Sequence, residues 1–442
     1  MSCPYFQPDC PERALPIDAA SCPQCRRLLK RCSGCGARNR AFANFCRSCG
    51  ADLAPSQANW VSFKGSPQRL GLIAASLPGR EASRGESLEV QEKGCQLQLG
   101  DPCRSLLGYD RHLIAISQGG SIEVCDPELP PPSLRLKADG PVSCEPCIDR
   151  GILYLGSPGR LTAYSLGGLS LENPRLTALW QLPLSGTPVQ ALTVLDNRLY
   201  VTVFHQDGRK DVQVIEDLER NPPAAARVLH TSHRLSWAAA DPASRQVIFL
   251  SQQGDSTRLC TVTHVAGRAE LGSQELSHIP QPFADNVPIA LLGGKIFGVF
   301  GDEEKLCRLD ARTGEFEQSL GTDTKLFSLS RGRDRSWDGD GVQIDTNGVI
   351  FLRAGFKDPF SPLERVVKGS PLIVQGRAAV LGMQDGRLRI YDLRRLPRND
   401  VRRLTGDGEP ISALAAFDNY IAAGNAKGIV KVFEILDRSS AA

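Results

Sequence analysis

Large aromatic side chains are scarce in this chain: 6% of its 442 residues are Phe, Trp or Tyr, and only four are Trp. Methionine occurs twice. No run approaches 18 apolar residues, which argues against a membrane-spanning helix. No long amphipathic helical pattern is evident either, so helices are not expected to organise the fold. The six histidines, His112, His205, His230, His233, His264 and His278, are dispersed, and only His230 and His233 stand close together. A Gly-x-Ser-x-Gly elbow, a Walker loop and a dinucleotide fingerprint are all missing. Catalysis therefore has little support, and the chain is expected not to be an enzyme. Without an apolar leader of signal-peptide type, a cytoplasmic location with reduced thiols is expected.

Cysteine is what the chain has in quantity, and it is unevenly placed. Eight of the 15 fall in the first fifty residues: Cys3, Cys10, Cys22, Cys25, Cys32, Cys35, Cys46 and Cys49. Three of the four pairs are Cys-x-x-Cys, which lets two thiolates reach one tetrahedral ion from a single turn. Cys32/Cys35 and Cys46/Cys49 are separated by ten residues, close to zinc-ribbon spacing, and Gly36 and Gly50 follow where a knuckle needs positive φ. Cys3 and Cys10, with six residues between them, join Cys22/Cys25 in a less regular first site. The rivals are a disulfide framework and a redox pair, both disfavoured by the expected reducing compartment. Two structural Zn²⁺ ions are expected. Fifty residues with few large apolar side chains cannot build a core, so metal must supply the folding energy, on the order of 10 kcal/mol per site.

Net charge is only +3, and the ribbon region repeats the lesson on a smaller scale. Residues 1–50 carry eight basic groups against three acidic ones. Each ion held by four thiolates adds about two negative charges, so the apparent +5 falls to about +1.

Residues 51–59 read as a linker, and from Trp60 the pattern becomes that of strands. The unit is a short apolar strand, a polar turn usually carrying Gly, and an alternating strand that often ends in Asp or Glu. It appears first at His112 to Asp126 and recurs from Ile152, Leu199, Val247, Ile296, Ala378 and Tyr420. Second strands recur after 39, 47, 48 and 49 residues up to Ile296, then after 83 to Ala379 and 42 to Ile421. Four strands every 40 to 50 residues is the period of propeller blades. The fold expected is mainly β: tandem zinc ribbons over 1–50, then a β-propeller over 60–442 of seven four-stranded blades. Residues 326–369 form an insertion or, through Val349 to Leu352, a degenerate eighth blade. The last blade runs out soon after Ile435, so its outer strand is expected from a hairpin at Leu88 to Leu99, turning at Lys93-Gly94. Borrowing that strand removes an open sheet edge.

Cys32-Ser-Gly-Cys35-Gly36 with Phe45-Cys46-Arg-Ser-Cys49-Gly50 resembles the second half of the bacterial double zinc ribbon, the DZANK-type module. Leu309-Asp310-Ala-Arg-Thr-Gly-Glu315 is similar to the strand-end motif of quinoprotein-like repeats, and Gly386-Arg-Leu-Arg-Ile-Tyr-Asp392 to a WD-repeat strand. The second likeness, to the WD-repeat and quinoprotein-like propeller superfamily, covers about 380 residues without the Gly-His and Trp-Asp pairing of WD repeats. Ribbon plus propeller resembles bacterial adaptors of multi-component systems, which implies a scaffold that binds other proteins. The alternative is nucleic acid, RNA above all, bound through Arg26, Arg27, Lys30, Arg31, Arg38, Arg40 and Arg47.

The remaining motifs read as structure. Cys95, Cys103, Cys125, Cys144, Cys147, Cys260 and Cys307 suit core thiols, with Cys144 and Cys147 expected on opposite strand faces. Ser336 to Gly341 starts like a calcium loop but has Asn347 where that loop needs Glu, so a polar loop is expected. Arg331, Arg333, Arg335 and the stretch Arg394, Arg395, Arg398, Arg402, Arg403 lack interleaved aromatics and read as solvated.

Overall fold

Short alternating runs bounded by Gly, Asn or Asp make hairpins, and hairpins extend into antiparallel sheets wherever a face can be buried. The computed structural model of the protein describes residues 88–437 apart from 110–111, 128–133, 167–175, 219–222, 242–243, 266–267, 277–288, 293–294, 301–304, 320–323, 330–340, 346–348, 354–355, 361–371, 375–377, 383–384, 393–398, 404–407 and 418–419. Before them it describes 29–31, 35, 37–40 and 72–73. Every regular element among the described residues is a β-strand.

From Cys103 onward these strands form eight sheets in chain order. The first runs Cys103–Tyr109, His112–Ser117, Ser121–Cys125, Leu134–Lys137, and the second Cys147–Asp149, Ile152–Ser157, Arg160–Ser165, Thr177–Pro183. The third comprises Thr187–Leu195, Arg198–Phe204, Lys210–Ile215 and Arg227–Ser232. In the fourth, the two pieces Arg234–Leu235 and Ala239–Asp241 share Gln246–Gln253 as partner, followed by Ser256–Val265 and Arg268–Glu275. The fifth holds Ala290–Leu292, Lys295–Phe300, Lys305–Asp310 and Phe316–Ser319. Residues 326–369, expected as an insertion or degenerate blade, contain most of the sixth sheet: Thr324–Leu329, Gly341–Asp345, Val349–Arg353 and Phe356–Phe360. The seventh is Leu372–Val374, Ala378–Gly382, Arg387–Asp392 and Asn399–Arg403, with Leu72–Ile73 added in parallel beside Leu372–Val374.

The eighth sheet closes the structure. Its strands Ile411–Phe417, Tyr420–Asn425 and Ile429–Asp437 are completed by Leu88–Gln98 from the N-terminal side. The borrowed outer strand is as expected, but its form is not. Leu88–Gln98 is one strand of 11 residues, not a hairpin. Glu92 pairs with Phe433 and Gln96 with Lys431, so Lys93-Gly94-Cys95 opposes Val432 alone and is a bulge. The open edge of Ile429–Asp437 offers both arms a ladder, which outweighs a local turn.

First strands of most successive sheets touch one another, Thr324–Leu329 of the sixth meets Lys305–Asp310 of the fifth, and Ile411–Phe417 of the eighth lies against Cys103–Tyr109 of the first, closing a ring. Side-chain donors on or just before these strands bond to carbonyls of the next: Ser143 Oγ to Pro188 (2.8 Å), Gln190 Nε2 to Leu235 (3.0 Å), and Ser412 Oγ to Cys103 (2.7 Å). Apolar clusters fill the gaps between neighbouring sheets; the one at the closure combines Val90, Leu97, Leu106, Ile411, Phe417 and Phe433.

Glycines on second strands set this close spacing. A Cβ on Gly424 would overlap the Sγ of Cys103 and lie 2.8 Å from its Cβ. Gly156 meets Pro188 Cγ at 2.8 Å, and Gly382 meets Ile411 Cγ2 at 2.7 Å, each from the first strand of the next sheet. Gly424→Ala is therefore expected to destabilise the protein by about 1–3 kcal/mol, because the obstacle is a packed strand and not a flexible side-chain end. Gly94, with nothing within 4 Å of its virtual Cβ, is the control: its alanine variant should keep the wild-type urea midpoint. Equal midpoints for the two variants would refute the packing role.

Candidate functional site

The N-terminal cysteines begin, in the structure, with a hairpin. Leu29–Arg31 pairs antiparallel with Arg38–Arg40, setting Lys30 opposite Asn39 and Arg31 opposite Arg38. Cys32 follows the first strand in the chain, and Cys35 is exposed in the turn. A hairpin whose connection carries Cys-x-x-Cys suits a tetrahedral ion, since two soft thiolates come from one short turn. Cys3, Cys10, Cys22, Cys25, Cys32, Cys46 and Cys49 lie outside the described residues. So do the 51–59 linker, Arg26, Arg27 and Arg47 among the basic residues of the ribbon region, and the acidic loop from Ser336 to Asp340.

Between the third and fourth sheets the ring assembles an ionic network that no local sequence pattern marks. Asp196 and Asn197 both take positive φ, 50° and 62°, in the turn joining Thr187–Leu195 to Arg198–Phe204. Asp196 Oδ2 holds Arg245 Nε at 2.7 Å and lies 3.7 Å from His264 Nδ1. His264 Nε2 is in turn 2.6 Å from the Tyr200 hydroxyl. Glu216 accepts from Arg227 Nη2 and from the backbone N–H of Ala269, both at 3.2 Å. Burial alone pushes the Glu216 carboxyl up, but the Ala269 N–H and Arg227 reverse that and hold it below its usual value.

Tyr200, His264 and Asp196 have the outline of a proton relay, yet their environment favours another role. Burial pushes the Tyr200 phenol up, and burial followed by the Arg198 charge pushes His264 down. Both are neutral near pH 7, so they share a hydrogen bond between uncharged groups. At the opposite end of these strands, Asp211 receives Thr231 Oγ1 at 2.7 Å and sits 2.7 Å from His205 Nε2. His230, lowered first by burial and then by Arg258, pairs with Ser251 Oγ at 2.6 Å and packs on Phe249. Its sequence neighbour His233 is exposed. The loose histidine pair therefore does not converge.

Asp310, in the quinoprotein-like motif, fastens a turn. Its Oδ1 accepts the N–H groups of Arg312 and Thr313, both at 2.8 Å, and its Oδ2 holds Lys295 Nζ at 2.9 Å. Burial alone pushes this carboxyl up; the Thr313 N–H, Lys295 and the Arg312 N–H bring it down to about 2. Gly314 completes the turn at φ 71°. The motif here is a structural corner.

Six of the seven later cysteines are buried as expected, and the side chain of Cys307 lies outside the described residues. Burial pushes the Cys144 and Cys260 thiols up to about 12. Cys144 and Cys147 do not face opposite ways: both enter the cluster between the second and third sheets. Only Cys147 lies in a strand, and Cys144 belongs to a bend before Pro146, so alternation does not govern the pair.

No protein-family model matches the chain, and no curated protein does. Solved structures do. A europium-containing methanol dehydrogenase matches with a TM-score of 0.58 at 10% identity, over 86% of this chain and 98% of that one. The computationally designed Ika8 protein matches at 0.56 and 16% identity, over 78% of this chain and 100% of its own. BamB from Moraxella catarrhalis matches at 0.52 and 13%, over 78% and 99%. At such identities the likeness concerns the fold alone: from the closure strand onward the chain is a β-propeller of the broad class expected from its repeats.

Proposed function

We propose that this protein is a noncatalytic scaffold, in which an eight-bladed propeller presents a rigid docking surface and a double zinc ribbon adds a second one. The observation that carries the reading is the internal pairing of the ring's chemistry. Tyr200, His264, Asp196, Asp211 and Glu216 bind one another or neighbouring residues, so the polar groups that converge do so to hold blades together. Eight sheets in chain order support the blade count. The two zinc ions are assigned to Cys3, Cys10, Cys22 and Cys25, and to Cys32, Cys35, Cys46 and Cys49. A cytoplasmic location keeps those thiols reduced.

A second reading, nucleic-acid binding through the ribbons, draws on the hairpin register. Arg31 stands directly opposite Arg38, a like-charge pairing that costs stability unless an anion or the zinc thiolates relieve it.

One experiment separates the two. The full chain is tagged in its own cells and purified at low salt, with and without nuclease. A stoichiometric protein partner that survives nuclease is the expected result. Recovery of free monomer alone would sink the scaffold, and a complex lost to nuclease or to rising salt would establish the second reading.

A further inference from the structure

Two cysteines that the scaffold reading leaves idle meet at the ring's closure. Cys95 belongs to the borrowed strand Leu88–Gln98, and Cys125 ends the third strand of the first sheet, Ser121–Cys125. Their sulfurs are 2.7 Å apart, although the residues are thirty positions apart in the chain. Such a separation is inside ordinary contact and approaches the bonded distance of about 2.05 Å. Both belong to the closure core, where they are 5% and 8% exposed. Ordinary core thiols such as Cys103 and Cys260 pack against carbon or backbone; these two face each other across the seam between the last and first sheets.

We propose that Cys95 and Cys125 form a disulfide in response to peroxide, locking the closure strand to the first sheet. The hydrogen bond between the two sulfurs holds the Cys95 thiol below its usual value, against burial and the nearby carboxylates of Asp126 and Glu123. Of the two thiols, this favours Cys95 as the first nucleophile. Its thiolate attacks one peroxide oxygen, the O–O bond breaks and hydroxide leaves, giving a sulfenic acid. Cys125 then attacks that sulfur, the S–O bond breaks and a second hydroxide leaves. The two thiol protons turn both hydroxides into water. Peroxide thus takes two electrons, and two thiols become one disulfide.

The test exposes the folded full chain to hydrogen peroxide, blocks remaining thiols under denaturing conditions and maps the peptides by mass spectrometry. Expected is a peptide containing Cys95 joined to one containing Cys125, separable by dithiothreitol. The melting temperature should rise by about 3–6 °C, and neither Cys95→Ser nor Cys125→Ser should show that rise. Recovery of both residues as blocked thiols, of Cys95 as sulfinic acid beside an intact Cys125 thiol, or of either joined to another cysteine would overturn the proposal. The peptide map requires only the wild-type chain, so its result does not depend on whether the variants fold.

Discussion

Excising residues 88–98 should abolish cooperative folding of the propeller, although no central or catalytic-looking residue is touched. The segment is the outer strand of the last sheet, registered with Ile429–Asp437 from Leu88 opposite Asp437 to Gln98 opposite Ile429. Val90, Cys95 and Leu97 point into the closure core, beside Val430, Val432 and Phe433, which are fully buried. Lys431 reaches Glu92 at 2.7 Å and Lys93 reaches Glu434 at 3.1 Å, but as partly exposed pairs these contribute little. The apolar loss dominates. Three buried side chains of this size, with the neighbours they uncover, represent on the order of 5–10 kcal/mol, comparable to the whole stability of an ordinary domain. An unpaired nine-residue edge then remains to recruit other chains. Size-exclusion chromatography and urea denaturation should find aggregate in place of a cooperative monomer. Leu97→Asp, which buries an unpaired carboxylate, should lower stability by roughly 3–5 kcal/mol. A soluble monomeric deletion variant with the wild-type urea midpoint would show that the ring closes without this strand.

Removing zinc should unfold the N-terminal module and leave the propeller intact. The first fifty residues hold few large apolar side chains, so under the proposed zinc assignment binding free energy there would be folding free energy, about 10 kcal/mol or more per site. Elemental analysis should find about two zinc ions per chain, one of them lost in Cys32→Ser. After chelation, amides of Lys30 and Arg38 should exchange at unfolded rates, while those of Val430 and Val432 keep their protection. Zinc-free protein, or unchanged exchange in the Leu29–Arg40 hairpin after chelation, would refute the metal assignment. Cys35, the one ribbon cysteine among the described residues, is exposed and takes no part in the closure core.

Seven of the eight sheets were legible because each carries an uninterrupted hairpin, such as Ile152–Ser157 with Arg160–Ser165, whose alternation is a local property. The sixth was not. Only Val349 to Leu352 reads as a strand there; Thr324–Leu329 and Gly341–Asp345 are separated by a charged stretch containing Arg331, Arg333, Arg335, Asp338 and Asp340. Phe356–Phe360 contains a Lys, an Asp and a Pro, and pairs as the outer strand of its sheet, where interrupted apolar character is tolerated. The borrowed strand was legible as a deficit, since the last sheet has three strands in sequence. Its bulge was not, because Lys93-Gly94 satisfies the local rules of a turn equally well.

The sequence by itself determined the β character, the repeat and the need for a strand from the N-terminal side, and its clustered cysteines carry the proposal of a metal-binding module. These rest on periodicity and spacing, which act over a few residues. Tertiary structure alone decided that Lys93-Gly94 is a bulge, that Tyr200 meets His264 and Asp196, and that Cys95 faces Cys125. Each of those outcomes depends on which distant edge or core face is vacant once the ring closes, a free-energy difference between whole arrangements that no window of neighbouring residues contains.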